Sequence, residues 1–314
     1  METMTALRAH RRGGPEVLVV EQAPIPSPRS GDVLVAVHAA AITFDELKWD
    51  LSWTHADGSS RTPVIPSHEF AGVVVGVGDG VGEAAIGREI FGLGRFDRDG
   101  AAAEYTVIPV AEVADKPAGV SYVQAAALPL AALTAWQALV EHAHVAEGEH
   151  VLIHGAAGGV GMFATQLARV LGAHVTGTVR SGDAASAFSN GAHEVVDIDA
   201  HQFVDRVRDV DVVLDTVGGN VIEQSYTVMK PGGRLITLAA PPPQGGAALA
   251  GITATFFVVQ PDRAALQEIG RLATEGTMRP VISQTFPLAD GRAAYESGAA
   301  PRPPGKTVLV VREA

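Results

Sequence analysis

Val151-Leu152-Ile153-His154-Gly155-Ala156-Ala157-Gly158-Gly159-Val160-Gly161 carries a short apolar strand straight into a glycine-rich turn. Gly155, Gly158 and Gly161 stand at GxxGxxG spacing, with Gly159 added. The spacing differs from plain GxGxxG, so its context matters. An apolar strand precedes it, and Gly161–Leu171 reads as a helix with Phe163, Leu167, Val170 and Leu171 on one face until Gly172 stops it. Such a turn lets a pyrophosphate approach main-chain N–H groups without a Cβ in the way. The helix start then adds free donors and a positive dipole end. Ala157, Gly158, Gly159, Val160 and Gly161 are the expected cradle, and the competing reading is a purely structural glycine turn.

Downstream, His174–Val179 is the next strand, and the residues at its carboxyl end discriminate between dinucleotides. An acidic residue there would hold the ribose 2′-hydroxyl of NAD. Here the chain reads Thr178-Val179-Arg180-Ser181-Gly182-Asp183. A guanidinium at Arg180 suits a 2′-phosphate, and Ser181 adds a hydroxyl. The expectation is NADPH, the rival being a solvated Arg180 with recognition by Asp183.

The same alternation continues on both sides. Strands are expected at His193–Asp197, Asp211–Leu214, Arg234–Leu238 and Thr253–Val258, and helices near Asn220–Met229 and Pro261–Glu275. Upstream, Ser121 can cap a helix over Gln124–Leu128, with a second helix over Leu133–His142. Apolar strands in βαβ order mean a parallel sheet covered on both faces. Residues before about 120 have another texture. Val17–Val20, Asp32–His38, Ala71–Val77, Glu89–Phe91 and Ala103–Ile108 are short Val/Ile runs between Gly/Pro turns, as in a barrel or sandwich. Thr307–Val311 returns to that texture and is expected to rejoin it. The expected domains are therefore 1–121 with 279–314, and 122–278 inserted between them.

Bulk properties narrow the function. At 314 residues the chain suits two domains. Its formal net charge of −12 disfavours non-specific binding to nucleic acid or an anionic membrane surface. There are no cysteines, which excludes disulfides, thiolate catalysis and cysteine-ligated zinc. The apolar stretch from Val120 to Leu139 is broken by Gln124, Pro129, Thr134 and Gln137, and no run reaches the roughly 18 residues of a membrane helix. A cytoplasmic location is expected by default.

Several segments together resemble the medium-chain dehydrogenase/reductase superfamily, in its zinc-free quinone oxidoreductase-like branch, over nearly the whole chain. They are Gly13-Gly14-Pro15-Glu16-Val17-Leu18, Ser67-His68-Glu69-Phe70-Ala71-Gly72, Ala126-Ala127-Leu128-Pro129, Ala132-Leu133-Thr134-Ala135-Trp136, Asp211 to Gly219, and Pro231-Gly232-Gly233-Arg234. The resemblance implies an α/β fold, with a Rossmann doubly wound parallel sheet domain and a GroES-like β-rich catalytic domain, and substrate in the cleft between them. It implies that Thr134 faces the nicotinamide or its phosphates. Thr216, Val217 and Gly218, with Leu238, Ala239 and Ala240, would line the nicotinamide ribose and ring. Phe256 and Phe257 would lie on the cofactor's substrate side. It further implies a homodimer through the cofactor domains, by sheet edges near Thr253–Val258. The zinc-dependent relatives use a cysteine ligand before the His-Glu motif and a four-cysteine lobe, and neither exists here. His68 and Glu69 alone cannot make a catalytic zinc site, so His68 is read as structural and hydrogen-bonded, and no metal is expected.

Thr43 and Glu46 fall where the branch usually has an NxxD-like stretch beside the nicotinamide. Thr43 could donate to a carbonyl oxygen, and Lys48 or a water held by Glu46 could supply a proton. Equally, Asp45, Glu46 and Lys48 could be a solvated loop face with Thr43 capping a turn. Trp49, Trp53 and Phe96 are read as an aromatic wall or as ordinary packing. The function expected is NADPH-dependent reduction of a quinone or α,β-unsaturated carbonyl compound by hydride transfer, independent of zinc. The alternatives are an enoyl-thioester reductase of polyketide or fatty-acid type, and a non-catalytic NADPH-binding redox sensor.

Overall fold

Six parallel strands form one sheet in the order Glu194–Asp197, His174–Val179, His150–His154, Val210–Asp215, Met229–Thr237, Thr253–Phe256. The strand of this sheet that comes first in the chain, His150–His154, therefore sits in the middle. The next two lie to one side of it and the last three to the other. This is the Rossmann strand order, and it places a topological switch point between His150–His154 and Val210–Asp215. The computed structural model of the chain describes residues 2–55, 57–300 and 303–313. They fall into two units: Ala131–Val259 with Thr277–Arg279, which holds this sheet, and Met1–Leu130 with Gln260–Gly276 and Pro280–Ala314.

The helix after the glycine turn spans Gly159–Val170. Its residues 161–168 are all buried, including Phe163 and Leu167, because its first turns lie on the sheet. Val170 departs from the expected apolar face. It is 45% exposed in the last turn, where the covering ends. The expected helix over Leu133–His142 is Pro129–Trp136 followed by a π-helical turn over Gln137–His142.

In the other unit, seven strands form a mainly antiparallel sheet. Asp32–Ile42 is its longest, an 11-residue run of Val and Ala that is almost wholly buried. Its length lets one edge serve two partners in turn: Asp32–Ala36 pairs with residues 105–109, and Ala39–Ile42 pairs with residues 307–310 of the terminal strand Lys306–Val310. Glu69–Val77 takes the opposite edge. A separate hairpin joins Thr3–Ala9 to Leu18–Pro24. The helix Tyr122–Ala126 starts with the capping box anticipated at Ser121, whose hydroxyl accepts from Gln124 N–H while the Gln124 side chain accepts from Ser121 N–H. The helix Arg263–Thr274 packs on the short strand Val113–Asp115. Among the described residues, no helix is long and apolar enough to cross a membrane.

Candidate active site

The glycine turn is built by close contacts that only glycine permits. Gly155 has φ 73°, and a Cβ there would come within 2.6 Å of the Thr216 hydroxyl oxygen. A Cβ on Gly161 would overlap the Gly155 carbonyl oxygen and stand 2.8 Å from Ala156 Cα. The turn itself is tied down by Ala156 N–H to Thr178 O at 3.0 Å and Gly158 N–H to Gly155 O at 2.9 Å. Gly158 is the N-cap of the helix and offers no capping side chain. Among the described residues, the first-turn amides of Gly159, Val160 and Gly161 have no side-chain acceptor, at a partly open helix end. A diphosphate supplies the acceptors and the negative charge such an end favours, so these residues fit a dinucleotide.

Arg180, Ser181, Thr216 to Gly218, Leu238 to Ala240, Phe256 and Phe257 stand at or just past the carboxyl ends of strands of this sheet, whereas Thr134 lies on a helix. Arg180 and Ser181 follow His174–Val179 and are exposed. Among the described residues the Arg180 guanidinium has no ion-pair partner, since no carboxylate approaches it within bridging distance. Ser181 is already engaged: its hydroxyl donates to Asp197 Oδ2 at 2.8 Å and its N–H to Asp199 Oδ2 at 2.9 Å. Thr216, Val217 and Gly218 follow Val210–Asp215. The Thr216 hydroxyl donates to His154 O at 2.8 Å, and the Val217 and Gly218 N–H groups both donate to Asp215 Oδ1 at 2.9 Å. Leu238 is half-buried, and Ala239 and Ala240 are exposed. Phe256 is half-buried, and the Phe257 ring packs on His142 with centroids 4.5 Å apart. Thr134 is buried on the helix Pro129–Trp136.

In the β-rich unit, Glu46 is not on a solvated face. It is 2% exposed and gathers three donors: Thr43 N–H at 3.2 Å and Tyr295 Oη–H at 2.5 Å on Oε1, and Ser67 N–H at 2.8 Å on Oε2. Burial pushes its carboxyl up to about 7 against the pull of those hydrogen bonds. Thr43, half-buried, is thereby fixed at the start of the turn. Lys48 is a surface group, with its side chain 77% exposed and paired to Asp45 at 2.6 Å. Trp49 and Phe96 meet edge to face at 5.2 Å, whereas Trp53 belongs to the core, its Nε1–H bonded to Leu47 O.

His68 is buried, and burial together with the Arg61 guanidinium pushes it down to about 3, so it is neutral. The expectation of a hydrogen-bonded histidine needs correcting at one nitrogen. Nδ1 has no hydrogen-bond partner among the described residues, and the ring is held by the edge of Phe96 at 5.2 Å. Glu69 is fully buried and is taken by Lys306 Nζ at 2.5 Å and Leu130 N–H at 3.0 Å. Among the described residues, no three His, Cys, Asp or Glu side chains are grouped to hold a metal ion. A cavity of about 890 Å³ also lies in this unit, by Arg29, Arg61, Arg98, Asp32 and Asp99. Most of its charges cancel in pairs, among them Arg61 with Asp99 and Arg98 with Asp32.

Residues 29–118 match the alcohol dehydrogenase GroES-like domain family, and residues 190–309 match the zinc-binding dehydrogenase family. The chain is 30% identical to the quinone oxidoreductase of Sus scrofa, covering 93% of each chain. It is 33% identical to the 2-methylene-furan-3-one reductase of Solanum lycopersicum, over 95% of this chain and 76% of that one. The chain belongs to the medium-chain dehydrogenase/reductase superfamily, in its quinone oxidoreductase-like branch. Its structure matches that of the quinone oxidoreductase from Coxiella burnetii with a TM-score of 0.88 at 30% identity, covering 99% of this chain and 100% of that one.

Two residues of this oxidoreductase's candidate site escape a reading by sequence. Asp215 is fully buried and also accepts from the Thr237 hydroxyl at 2.8 Å, so it shapes the Thr216–Gly218 loop. A carboxylate ending the apolar run Val212-Val213-Leu214 is the signal that marks it. Tyr295 lies 249 residues from its partner Glu46, and no local pattern announces that pairing.

Proposed function

We propose that this oxidoreductase uses NADPH to reduce quinones or α,β-unsaturated carbonyl compounds, and that it does so without zinc. The observation that carries the reading is the glycine turn at the carboxyl edge of the sheet, without a capping side chain, and on the same edge an arginine unpaired among the described residues. The amides of Gly159, Val160 and Gly161 would hold the diphosphate, and Arg180 the 2′-phosphate. When bound, the reduced nicotinamide supplies the hydride that an electrophilic carbon accepts. The chain's own part is to orient and to stabilise. The loop Thr216–Gly218 is held to Asp215 by two backbone hydrogen bonds. Thr43, held by Glu46, offers a hydroxyl to an oxygen that gains charge. The zinc-free part of the reading is supported by the donor set: the chain has no cysteine, and Glu69 is bound to Lys306.

The direct test is to follow NADPH oxidation with quinones, enones and enoyl thioesters, before and after exhaustive chelation. Turnover with quinones or enones, unchanged by chelator, is the expected outcome. Turnover confined to enoyl thioesters would move the assignment to the thioester class. Tight NADPH binding with no turnover on any acceptor would make the protein a sensor. Arg180→Ala should raise the Kd for NADPH roughly 10- to 50-fold through lost charge-assisted hydrogen bonds, and change that for NADH less than about threefold. Equal effects on both would remove Arg180 from the 2′-phosphate. Thr43→Val should lower kcat about 10- to 100-fold with the Kd for NADPH unchanged, and an unaltered kcat would make Thr43 structural.

A further inference from the structure

We propose that Asp197 and Asp199 set the strength of the preference for NADPH over NADH, by opposing Arg180 at the rim where the adenosine ribose would lie. The proposal rests on the NADPH reading above. It starts from Ser181, the residue after Arg180. Asp197 Oδ2 accepts from the Ser181 hydroxyl at 2.8 Å, Asp199 Oδ2 accepts from Ser181 N–H at 2.9 Å, and Asp199 N–H closes on Asp197 Oδ1 at 3.0 Å. Both carboxylates are thus held directly against the turn that displays the arginine. That turn is also closed on itself by Asp183 N–H to Arg180 O at 3.1 Å. Neither Asp197 nor Asp199 has an ion-pair partner among the described residues, so both anions share this short stretch of rim with Arg180, and Asp183 adds a third acid to the same turn.

The hydrogen-bond directions matter as much as the charges. Because Ser181 spends its hydroxyl proton on Asp197, it presents lone pairs to anything arriving from solvent. Lone pairs and carboxylates accept from a ribose 2′-hydroxyl. They repel a 2′-phosphate, which brings about −1.5 to −2 charges at neutral pH. Arg180 pulls the other way. An arginine at the end of the second strand points to NADP, with Asp183 three residues on as its local acidic rival. The folded chain brings further acids from the end of the third strand, Glu194–Asp197, and the residues just beyond it. The result is a divided preference in place of a strict one.

The test is direct titration of NADPH and NADH into the full chain and its variants, read as dissociation constants. Asp199→Asn is the informative change, because Asp199 is exposed and an asparagine keeps an oxygen for Ser181 N–H while losing the charge. It should tighten NADPH roughly 5- to 10-fold at low salt, leave NADH within about twofold, and lose much of its effect at high salt, as screening of an exposed charge requires. Asp197→Asn should shift the ratio in the same direction. The unsubstituted protein should favour NADPH by no more than about tenfold. If both Asn variants leave the NADPH-to-NADH ratio unchanged while Arg180→Ala still alters it, this proposal is overturned and the NADPH reading stands. If Arg180→Ala leaves the ratio unchanged as well, or if neither dinucleotide binds, both fall together.

Discussion

Gly161→Val is expected to weaken NADPH binding at least about 100-fold and to lower stability by roughly 3 kcal/mol. The reason is local and steric. A side chain at Gly161 points into the Gly155 carbonyl oxygen and comes within 2.8 Å of Ala156 Cα. Both obstacles are backbone, so no rotamer change relieves them. The turn must open, and with it the alignment of the Gly159–Gly161 amides on which the diphosphate depends. Calorimetric titration together with a thermal melt reads both effects. A variant that binds NADPH normally would show that these amides are not the cradle.

Lys306→Met should cost about 3 to 5 kcal/mol of stability at pH 8. Lys306 Nζ lies 2.5 Å from Glu69 Oε1, with the two side chains 7% and 1% exposed. Removing the ammonium leaves a carboxylate that water cannot reach. Burial already pushes Glu69 above the usual carboxylate range, with Lys306 the main opposing influence. Without the lysine the carboxyl goes higher and binds its proton more tightly folded than unfolded. Such a group stabilises below its unfolded pKa, and that contribution is lost as pH rises. The penalty should therefore be smaller at pH 5 than at pH 8, and Lys306→Met with Glu69→Gln should recover part of it. A single variant melting like the parent at both pH values would remove this pair from the stability of the β-rich unit.

How much of this is legible in the sequence depends on how local each signal is. The Rossmann half is legible because Gly155, Gly158 and Gly161 sit within one turn, and the strands beside them are continuous apolar runs. Arg180 is legible for a similar reason, standing at a fixed offset along the next strand. Its acidic neighbours are not: Asp197 and Asp199 reach Ser181 only because the second and third strands pair in parallel. Glu46 shows the same limit more sharply. Between Asp45 and Lys48 it reads as one more surface charge, yet its partners are Ser67 and Tyr295, brought in by tertiary packing. The strand Thr3–Ala9 is missed because its Thr and Arg residues hide the buried Met4, Ala6 and Leu7. Val170 errs in the other direction. Helical periodicity assigns it a face, but cannot say where the covering sheet ends.

The measurement that bears most directly on the central claim is a calorimetric titration of the folded chain with NADPH. The glycine turn predicts saturable heat at one site per chain, abolished by Gly161→Val. A folded chain that gives no heat with NADPH or with NADH would contradict it.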